Sequence, residues 1–225
     1  MNDTDHPQGF VGDEDPTSRA WAKTPPADPF ALLAGWLALA ERTEPHNHNA
    51  MTLATADGLG HPSARIVLLK GIDSVGASPR GLVFYTNYHS RKGQAMAENP
   101  RGGLTFYWKS LNRQVCVLGD LQRVDALESD AYFASRPRGS QLAAWASDQS
   151  QPLADRDALV ARLAAVAAKY EAGAVPRPPH WGGTRLMPRR FEFWQDGRDR
   201  MHDRLGYTLS EEEGTGGWVW TYLNP

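Results

Sequence analysis

Two basic stretches in the first half of the chain have the residue types that bind a phosphate group. Arg65 and Lys70 bracket the apolar run Ile66-Val67-Leu68-Leu69, which is typical of a buried strand, and buried cations need an anionic partner. Ser90-Arg91-Lys92 precedes a predicted helix, whose free N–H groups and dipole favour phosphate. Residues 61–123 hold nine bases against three acids, although solvated strand edges also carry such charges. We interpret the excess as a focused anion site.

A second candidate group lies in the middle of the chain. Tyr132, Arg136 and Ser140 are spaced four residues apart, which would align them on one helix face. Pro137 interrupts such a helix, so Ser140 is expected in the first turn of the next one. A phenol, a guanidinium and a hydroxyl together suit a phosphomonoester, and a solvated surface ladder is the alternative.

A third group follows near the end of the chain. Arg200, His202 and Arg204 alternate, as side chains on one face of a strand do. Two arginines that flank a histidine repel one another unless an anion lies between them. The pattern therefore predicts either an anion site or a solvated strand face.

Hydrophobic periodicity predicts the elements that carry these groups. Residues 1–27 are acidic, rich in proline and poor in aliphatic residues, and we expect a flexible arm before a domain at 28–225. Asp28-Pro29 predicts a helix start. Strands are predicted at 50–56, 63–70, 81–87, 104–108, 114–121, 191–194, 200–207 and 218–223, with a turn around Gly214, Gly216 and Gly217. Helices at 90–98, 127–135, 137–146 and 155–172 complete an α+β domain whose antiparallel strands form a closed or nearly closed barrel.

Composition excludes several classes of protein. The 225 residues are 41% hydrophobic and 22% charged with a net charge of -2, so neither disorder nor general binding to nucleic acid or membranes is expected. A single cysteine excludes an internal disulfide and a thiolate metal cluster, and we expect no metal. With no apolar span and no secretory signal visible, we expect a cytoplasmic protein.

Ten short motifs occur in an order that resembles one enzyme family. They are Arg65-Ile-Val-Leu-Leu-Lys70, Phe84-Tyr-Thr-Asn87, Ser90-Arg-Lys92, Arg113-Gln-Val115, Tyr132-Phe-Ala-Ser-Arg-Pro-Arg-Gly-Ser140, Ala144-Trp-Ala-Ser147, Gln149-Ser150, Pro176-Arg-Pro-Pro-His-Trp-Gly-Gly183, Phe191-Glu-Phe-Trp194 and Arg200-Met-His-Asp-Arg204. From about Asp28 onward, the sequence resembles the pyridoxamine 5′-phosphate oxidase family.

The resemblance implies an FMN-binding split β-barrel that forms a homodimer with FMN at the subunit interface. It implies FMN contacts at Arg65, Ile66, Val67, Leu68, Leu69, Lys70, Tyr85, Thr86, Arg91, Lys92, Gln114, Gln149, Ser150, Trp194 and Arg204. It also implies a substrate site at Lys70, Tyr132, Arg136, Ser140, Arg200, Met201 and His202, in which Arg200 and His202 are catalytic and flank the substrate ring.

The implied reaction oxidises pyridoxamine or pyridoxine 5′-phosphate to pyridoxal 5′-phosphate and reduces O2 to hydrogen peroxide. Two alternatives stay open. One is a related FMN oxidase that acts on another aromatic molecule such as a phenazine precursor. The other is a protein that binds FMN or pyridoxal phosphate without catalysis. The matched set Tyr132, Arg136 and Ser140 argues against a substrate that has no phosphate.

Overall fold

The computed structural model describes residues 19–210 and 217–225 and contains both helices and strands. The helices of this part of the chain are α1 (Ala20–Lys23), α2 (Pro29–Thr43), α3 (Arg91–Glu98), α4 (Ala126–Ser135), α5 (Arg138–Ala146) and α6 (Arg156–Lys169). The strands are β1 (Ala50–Ala56), β2 (Pro62–Leu68), β3 (Gly71–Ile72), β4 (Leu82–Asn87), β5 (Arg101–Trp108), β6 (Arg113–Arg123), β7 (Trp181–Gln195), β8 (Asp203–Leu209) and β9 (Trp218–Tyr222). The predicted α+β class is confirmed. None of the described helices is long and apolar enough to cross a membrane.

All of these strands belong to one antiparallel sheet that curls into a half-barrel. The strand order is β2-β1-β5-β6-β7-β4-β3, and β8 and β9 continue from the C-terminal half of β7. Phe84, Phe106, Phe191 and Phe193 fill the inside of the curl, where none is exposed. Helix α2 covers this core with Trp36, whose ring lies 5.3 Å from that of Phe193. The outer face of the sheet is left for polar and half-exposed side chains.

Helix starts follow the predicted capping residues. The Asp28 side chain accepts a hydrogen bond from the N–H of Phe30, and Pro29 occupies the first helical position of α2. The Ser90 hydroxyl likewise accepts from the N–H of Gly93 at the start of α3. Helix α4 ends at Ser135 before Pro137, so the predicted break is confirmed and Ser140 lies in the first turn of α5.

Strand β7 is much longer than the predicted 191–194. It continues through Pro188 because the pairing with β6 shifts register between Leu118 and Gly119. Proline has no N–H to donate and is tolerated at such irregularities. Gly119 is required there, since a Cβ would lie 2.0 Å from the carbonyl oxygen of Met187. This long strand carries Trp181 at one end and Trp194 near the other.

The predicted strand at 200–207 is wrong at its beginning. Residues 198–200 form a 3₁₀ turn, and β8 begins only at Asp203. Asp199 and Arg200 have φ angles of 55° and 60°, which a strand does not contain. Arg200, His202 and Arg204 therefore do not alternate on one strand face, and only Arg204 belongs to a strand.

The predicted arm at 1–27 includes nine residues that the structure describes. Trp21 of α1 is 8% exposed and packs edge-on against Trp36, with ring centroids 5.0 Å apart. The carbonyl oxygen of Pro26 accepts a hydrogen bond from the Tyr207 hydroxyl at 2.9 Å. Residues 19–27 are thus packed against the barrel. The predicted arm at 1–18 and the glycines Gly214 and Gly216 lie outside the described residues.

Candidate active site

Three cations from the first set of predicted phosphate-binding residues lie together at the junction of β2 and α3. Arg65 of β2, Arg91 and Lys92 are called the cation cluster below. Arg91 and Lys92 open α3, whose N-terminus adds partial positive charge. None of the three makes an ion pair with a carboxylate of the described residues. Uncompensated positive charge at a helix start is the arrangement that binds phosphate.

Hydrogen bonds hold Arg65 in place. Its Nη1 donates to the carbonyl oxygen of Leu53 at 2.9 Å and to the hydroxyl of Thr55 at 2.8 Å. Its Nη2 donates to the hydroxyl of Ser63. Burial, and secondly the charge of Arg91, lowers the pKa of Arg65. The guanidinium is therefore oriented in advance by neutral acceptors that leave its charge available.

Lys92 connects the cation cluster to the loop after α5. Its ammonium donates to the Gln149 side-chain oxygen at 2.9 Å, next to Ser150. Ser150 has a φ of 72°, so the backbone turns sharply at this point. Burial, followed by the charge of Arg65, lowers the pKa of Lys92. Lys92 thus lies close to both Arg65 and Gln149, and the family resemblance assigns all three to FMN.

Tyr132 and Arg136 lie beside β4, in a group of stacked aromatic rings with Tyr85 and Trp181 that is called the aromatic wall below. The rings of Tyr132 and Tyr85 stack with centroids 3.8 Å apart, and Trp181 continues the stack 5.5 Å from Tyr85. The guanidinium of Arg136 lies 4.5 Å from the centre of the Trp181 ring. Burial raises the pKa of Tyr85 to about 12, so the phenol stays neutral. Thr86, the neighbour of Tyr85, is buried.

Arg136 is the cation of this wall that lacks a polar partner. Its buried Nη1 has no hydrogen-bond partner among the described residues. Burial lowers the pKa of Arg136, which means that the folded protein holds this charge at a cost. A buried donor without an acceptor is expensive unless a ligand supplies the acceptor. The orphaned Nη1 is therefore a candidate for a second anion position near Tyr132.

The remaining predicted contacts lie on the outer face of the sheet. Gln114, Trp194 and Arg204 occupy directly opposed positions on β6, β7 and β8 and are called the outer row below. Arg204 donates two hydrogen bonds to Glu192 Oε1, at 2.7 and 3.1 Å, and one to the carbonyl oxygen of Asn224. No described hydrogen bond, ion pair or ring contact joins the outer row to the cation cluster.

His202 stands beside the outer row. Its ring lies 4.8 Å from that of Trp194, and its Nδ1 is 3.0 Å from Asp196 Oδ1. Arg200 and Met201 are exposed on the turn just before it. Asp196 and Glu192 were not predicted, because a carboxylate that pairs with a distant cation leaves no local signal in the sequence.

The predicted run 65–70 does not present one continuous surface. Arg65 and Val67 point to the inside of the curl, whereas Ile66 points outward and is 64% exposed. Leu69 is buried in the core, so its side chain is not available to a ligand. Lys70 is exposed at the end of β2, beyond Leu68. A cofactor that touches all six residues must contact several of them through the backbone.

A groove of about 640 Å³ on the outer face of β1, β5 and β6 contains none of the predicted residues. Small side chains such as Ala54 and Ala56 line it together with Leu118, which is 52% exposed. Its one carboxylate, Asp120, is paired with Arg189. The groove is therefore lined by small and apolar side chains together with this ion pair, and it lies apart from the predicted site residues.

Comparisons with known proteins agree over most of the chain. Residues 39–170 match the profile of a family described as pyridoxamine 5′-phosphate oxidase, and residues 181–225 match its pyridoxine 5′-phosphate oxidase C-terminal dimerisation region. A protein of Azorhizobium caulinodans named pyridoxine/pyridoxamine 5′-phosphate oxidase is 53% identical over 83% of this chain and 85% of its own length. A protein of the same name from Gluconobacter oxydans is 51% identical over 88% of this chain and 95% of its own length.

Solved structures with the same fold include PhzG of Burkholderia lata in complex with tetrahydrophenazine-1-carboxylic acid. It has a TM-score of 0.83 and 34% identity, over 96% of this chain and all of that one. An FMN-binding protein of Nostoc punctiforme has a TM-score of 0.68 at 16% identity, over 88% and 98% of the two chains, which supports the fold alone. The family profiles and the relatives at about half identity lead to the same conclusion: this chain belongs to the pyridoxamine 5′-phosphate oxidase family.

Proposed function

We propose that this protein is a cytoplasmic, FMN-dependent oxidase that converts pyridoxamine or pyridoxine 5′-phosphate to pyridoxal 5′-phosphate. The single observation that carries the proposal is the presence of two separate anion positions. One is the cation cluster, and the other is the orphaned Nη1 of Arg136. A phosphorylated substrate and a phosphorylated cofactor need two such positions, whereas either molecule alone needs one.

The cation cluster fits the phosphate of FMN. Burial, followed by a neighbouring positive charge, lowers the pKa of Arg65 and that of Lys92, and a bound phosphate would relieve the repulsion in both cases. Ser90 caps α3, and the remaining free N–H groups in the first turn of that helix lie beside these cations. Gln149 and Ser150 would close the site from the loop after α5. These features support FMN with its phosphate at the start of α3.

Arg136 fits the phosphate of the substrate. Its guanidinium is held against Trp181 and aims Nη1 at a position without a protein acceptor. Tyr132 and Ser140 offer hydroxyl groups to the same phosphate. The exposed Lys70 follows the strand that carries Arg65, and we assign it to the region between the two phosphates.

The outer row supports a site that two subunits share. Gln114, Trp194 and Arg204 lie on the face opposite to Arg65, so one subunit does not wrap both groups around one flavin. Trp194 and Arg204 lie in the region 181–225 that matches the dimerisation profile, and Gln114 is paired with Trp194. We therefore assign the outer row to FMN held by the partner subunit in a homodimer.

The chain's own contribution to the chemistry is binding and orientation. When bound, FMN supplies the acceptor for the hydride from the substrate's C4′ carbon and is reoxidised by O2. Arg200 and His202 would flank the pyridine ring and set the angle at which that carbon meets the cofactor. His202 Nδ1 accepts a hydrogen bond from the Gly197 N–H at 3.2 Å and lies 3.0 Å from Asp196 Oδ1, which leaves Nε2 directed away from both.

An FMN oxidase for a larger aromatic molecule is the second candidate. The 34% identity to PhzG, crystallised with a tetrahydrophenazine carboxylic acid, favours it. The buried Nη1 of Arg136 can donate to a carboxylate as well as to a phosphate, so the preference for the phosphorylated substrate rests on the relatives at about half identity. A third candidate, a carrier without catalysis, needs neither Arg200 nor His202 beside the ligand.

Oxygen uptake and peroxide release measured with a panel of compounds test all three functions. The purified protein, saturated with FMN, is given pyridoxamine 5′-phosphate, pyridoxine 5′-phosphate, pyridoxine and a dihydrophenazine carboxylic acid. The proposal expects peroxide and pyridoxal 5′-phosphate from the two phosphorylated compounds, with pyridoxine a poor substrate. Turnover of the phenazine compound alone would support the second function, and binding without peroxide would support the carrier.

A further inference from the structure

The turn that carries Arg200 and His202 has an unfavourable backbone conformation, which contacts within the turn do not stabilise. Asp199 and Arg200 are consecutive residues with φ angles of 55° and 60°, a conformation that is unfavourable for residues other than glycine. Gly197 closes the turn so tightly that a Cβ would lie 1.9 Å from the carbonyl oxygen of Met201. Such a conformation persists only when groups outside the turn hold its ends.

Arg19 holds both ends of this turn. Its Nη2 donates to the carbonyl oxygen of Asp196 at 3.1 Å, where the turn begins. Its Nη1 forms an ion pair with Asp203 Oδ2 at 3.1 Å, where the turn ends and β8 starts; this contact is one of charge and lacks the geometry of a hydrogen bond. One planar guanidinium therefore bridges the two ends of the segment 196–203.

Helix α1 places Arg19 at this position. Trp21, two residues later, is buried against Trp36 and donates from Nε1 to Gln195 Oε1 at 3.1 Å. Gln195 is 2% exposed and accepts a second hydrogen bond from Arg113 Nε. The residue directly before the turn is thus fixed by the same short helix that carries Arg19.

The contact with Asp196 leads directly to His202. The carboxylate of Asp196 lies 3.0 Å from His202 Nδ1. The backbone N–H of Asp196 donates to the carbonyl oxygen of Asn112. The carbonyl that Arg19 holds belongs to the Asp196–Gly197 peptide, whose N–H donates to His202 Nδ1 at 3.2 Å. Holding this peptide therefore holds two groups that contact the imidazole at Nδ1. Arg19 lies on a segment that the sequence assigns to the arm, far along the chain from the turn.

We propose that Arg19 is a positioning residue for the reaction: it clamps the turn 196–203 and thereby keeps Arg200 and His202 in the geometry that the substrate ring requires. The proposal rests on the proposed function for the roles of Arg200 and His202. The clamp itself concerns only the protein's own contacts. Because the substrate's phosphate is assigned to Arg136 at a separate place, we expect the clamp to act on the orientation of the ring, and so on kcat, more than on KM.

The test compares Arg19→Gln with Lys23→Gln, a matched control in the same helix. Lys23 makes no hydrogen bond or ion pair in the described part of the chain. Arg19→Gln is expected to lower kcat for pyridoxine 5′-phosphate about tenfold per bound FMN, with KM within about twofold of the wild-type value. FMN content and dimer size should be unchanged. Lys23→Gln should match the wild type, and Arg19→Lys, which keeps the charge without the fork, should recover part of the loss.

Hydrogen–deuterium exchange of the peptide that spans 196–203 gives a readout independent of activity. Arg19→Gln and Asp203→Asn should each speed exchange there, and the double variant should add little, because both break one clamp. If the wild type oxidises no B6 vitamer, the proposed function fails while the exchange result still decides the clamp. Unchanged exchange in Arg19→Gln, or a loss of kcat equal to that of Lys23→Gln, would overturn the proposal. A rise in KM without a change in kcat would overturn it as well.

Discussion

Two cationic regions of this molecule differ in how their charges are compensated. In the region around β8, Arg204 pairs with Glu192, Arg19 pairs with Asp203, and His202 lies against Asp196. In the cation cluster, Arg65 and its neighbours hold neutral acceptors only. The charges around β8 are compensated within the chain, so their partners orient these side chains before any ligand binds. The charges of the cation cluster are not compensated among the described residues, which is why we propose that an anion binds there.

Arg136 belongs with the unpaired charges although it lies elsewhere on the fold. Removing the Arg136 side chain should have the largest effect, since a charge-assisted hydrogen bond contributes ~1.5–3 kcal/mol, or about a ten- to hundredfold change in affinity. Arg136→Ala is expected to raise KM for pyridoxine 5′-phosphate by this factor while FMN stays bound. Steady-state kinetics with flavin absorbance measure both.

Pyridoxine is the internal control for that variant. It has no phosphate, so it should be a poor substrate of the wild type, and Arg136→Ala should hardly affect its kcat/KM. Arg138→Ala is a matched second control, because Arg138 lies two residues further and donates to the carbonyl oxygens of Gly173 and Tyr170. Loss of flavin from Arg136→Ala, or equal damage with both vitamers, would contradict the assignment.

Removal of the cofactor should affect stability as well as activity. A ligand that binds only the folded state stabilises it by ~2.7 kcal/mol at a concentration one hundred times its Kd. We expect the apoprotein to have a lower Tm than the protein in excess FMN, with a shift that grows with FMN concentration. Riboflavin should give a smaller shift because it cannot compensate the cation cluster. A Tm that is the same with and without FMN would count against the unpaired region as its binding site.

A smaller effect is expected where the charges are already paired. Glu192→Gln removes the carboxylate beside Arg204 but leaves the hydrogen bond to the carbonyl oxygen of Asn224. We expect FMN affinity to change by about two- to fivefold, since partly exposed ion pairs contribute ~0–1 kcal/mol. Fluorescence titration of the apoprotein measures the change. An effect as large as that of Arg136→Ala on KM would remove the distinction between the two regions.

Local signals predicted the parts of the fold that depend on local chemistry. Asp28 and Ser90 cap their helices through hydrogen bonds to residues two or three positions away, and β1 alternates as its sequence does. The candidate residues Tyr132 and Arg136 were also found from short spacing and motif. These are properties that a window of ten residues contains.

Long-range contacts explain what the sequence did not predict. Strand β7 passes Pro188 because Gly119 of another strand makes room for it. The turn at Arg200 was predicted as a strand because its alternating charges imitate one, whereas Arg19 holds it from the other end of the chain. Whether a cation is paired also depends on distant carboxylates, so the sequence alone does not separate Arg204 from Arg65.

The most direct test of the unpaired region is the ratio of the dissociation constants of riboflavin and FMN, measured for wild-type apoprotein and Arg65→Ala. The two ligands differ by the phosphate, so the ratio isolates what the cation cluster contributes. We expect the wild type to prefer FMN strongly and Arg65→Ala to reduce this preference about ten- to hundredfold, with riboflavin affinity unchanged. Arg101→Ala, an exposed arginine of β5, should keep the wild-type ratio. A preference for FMN that survives in Arg65→Ala would contradict the account.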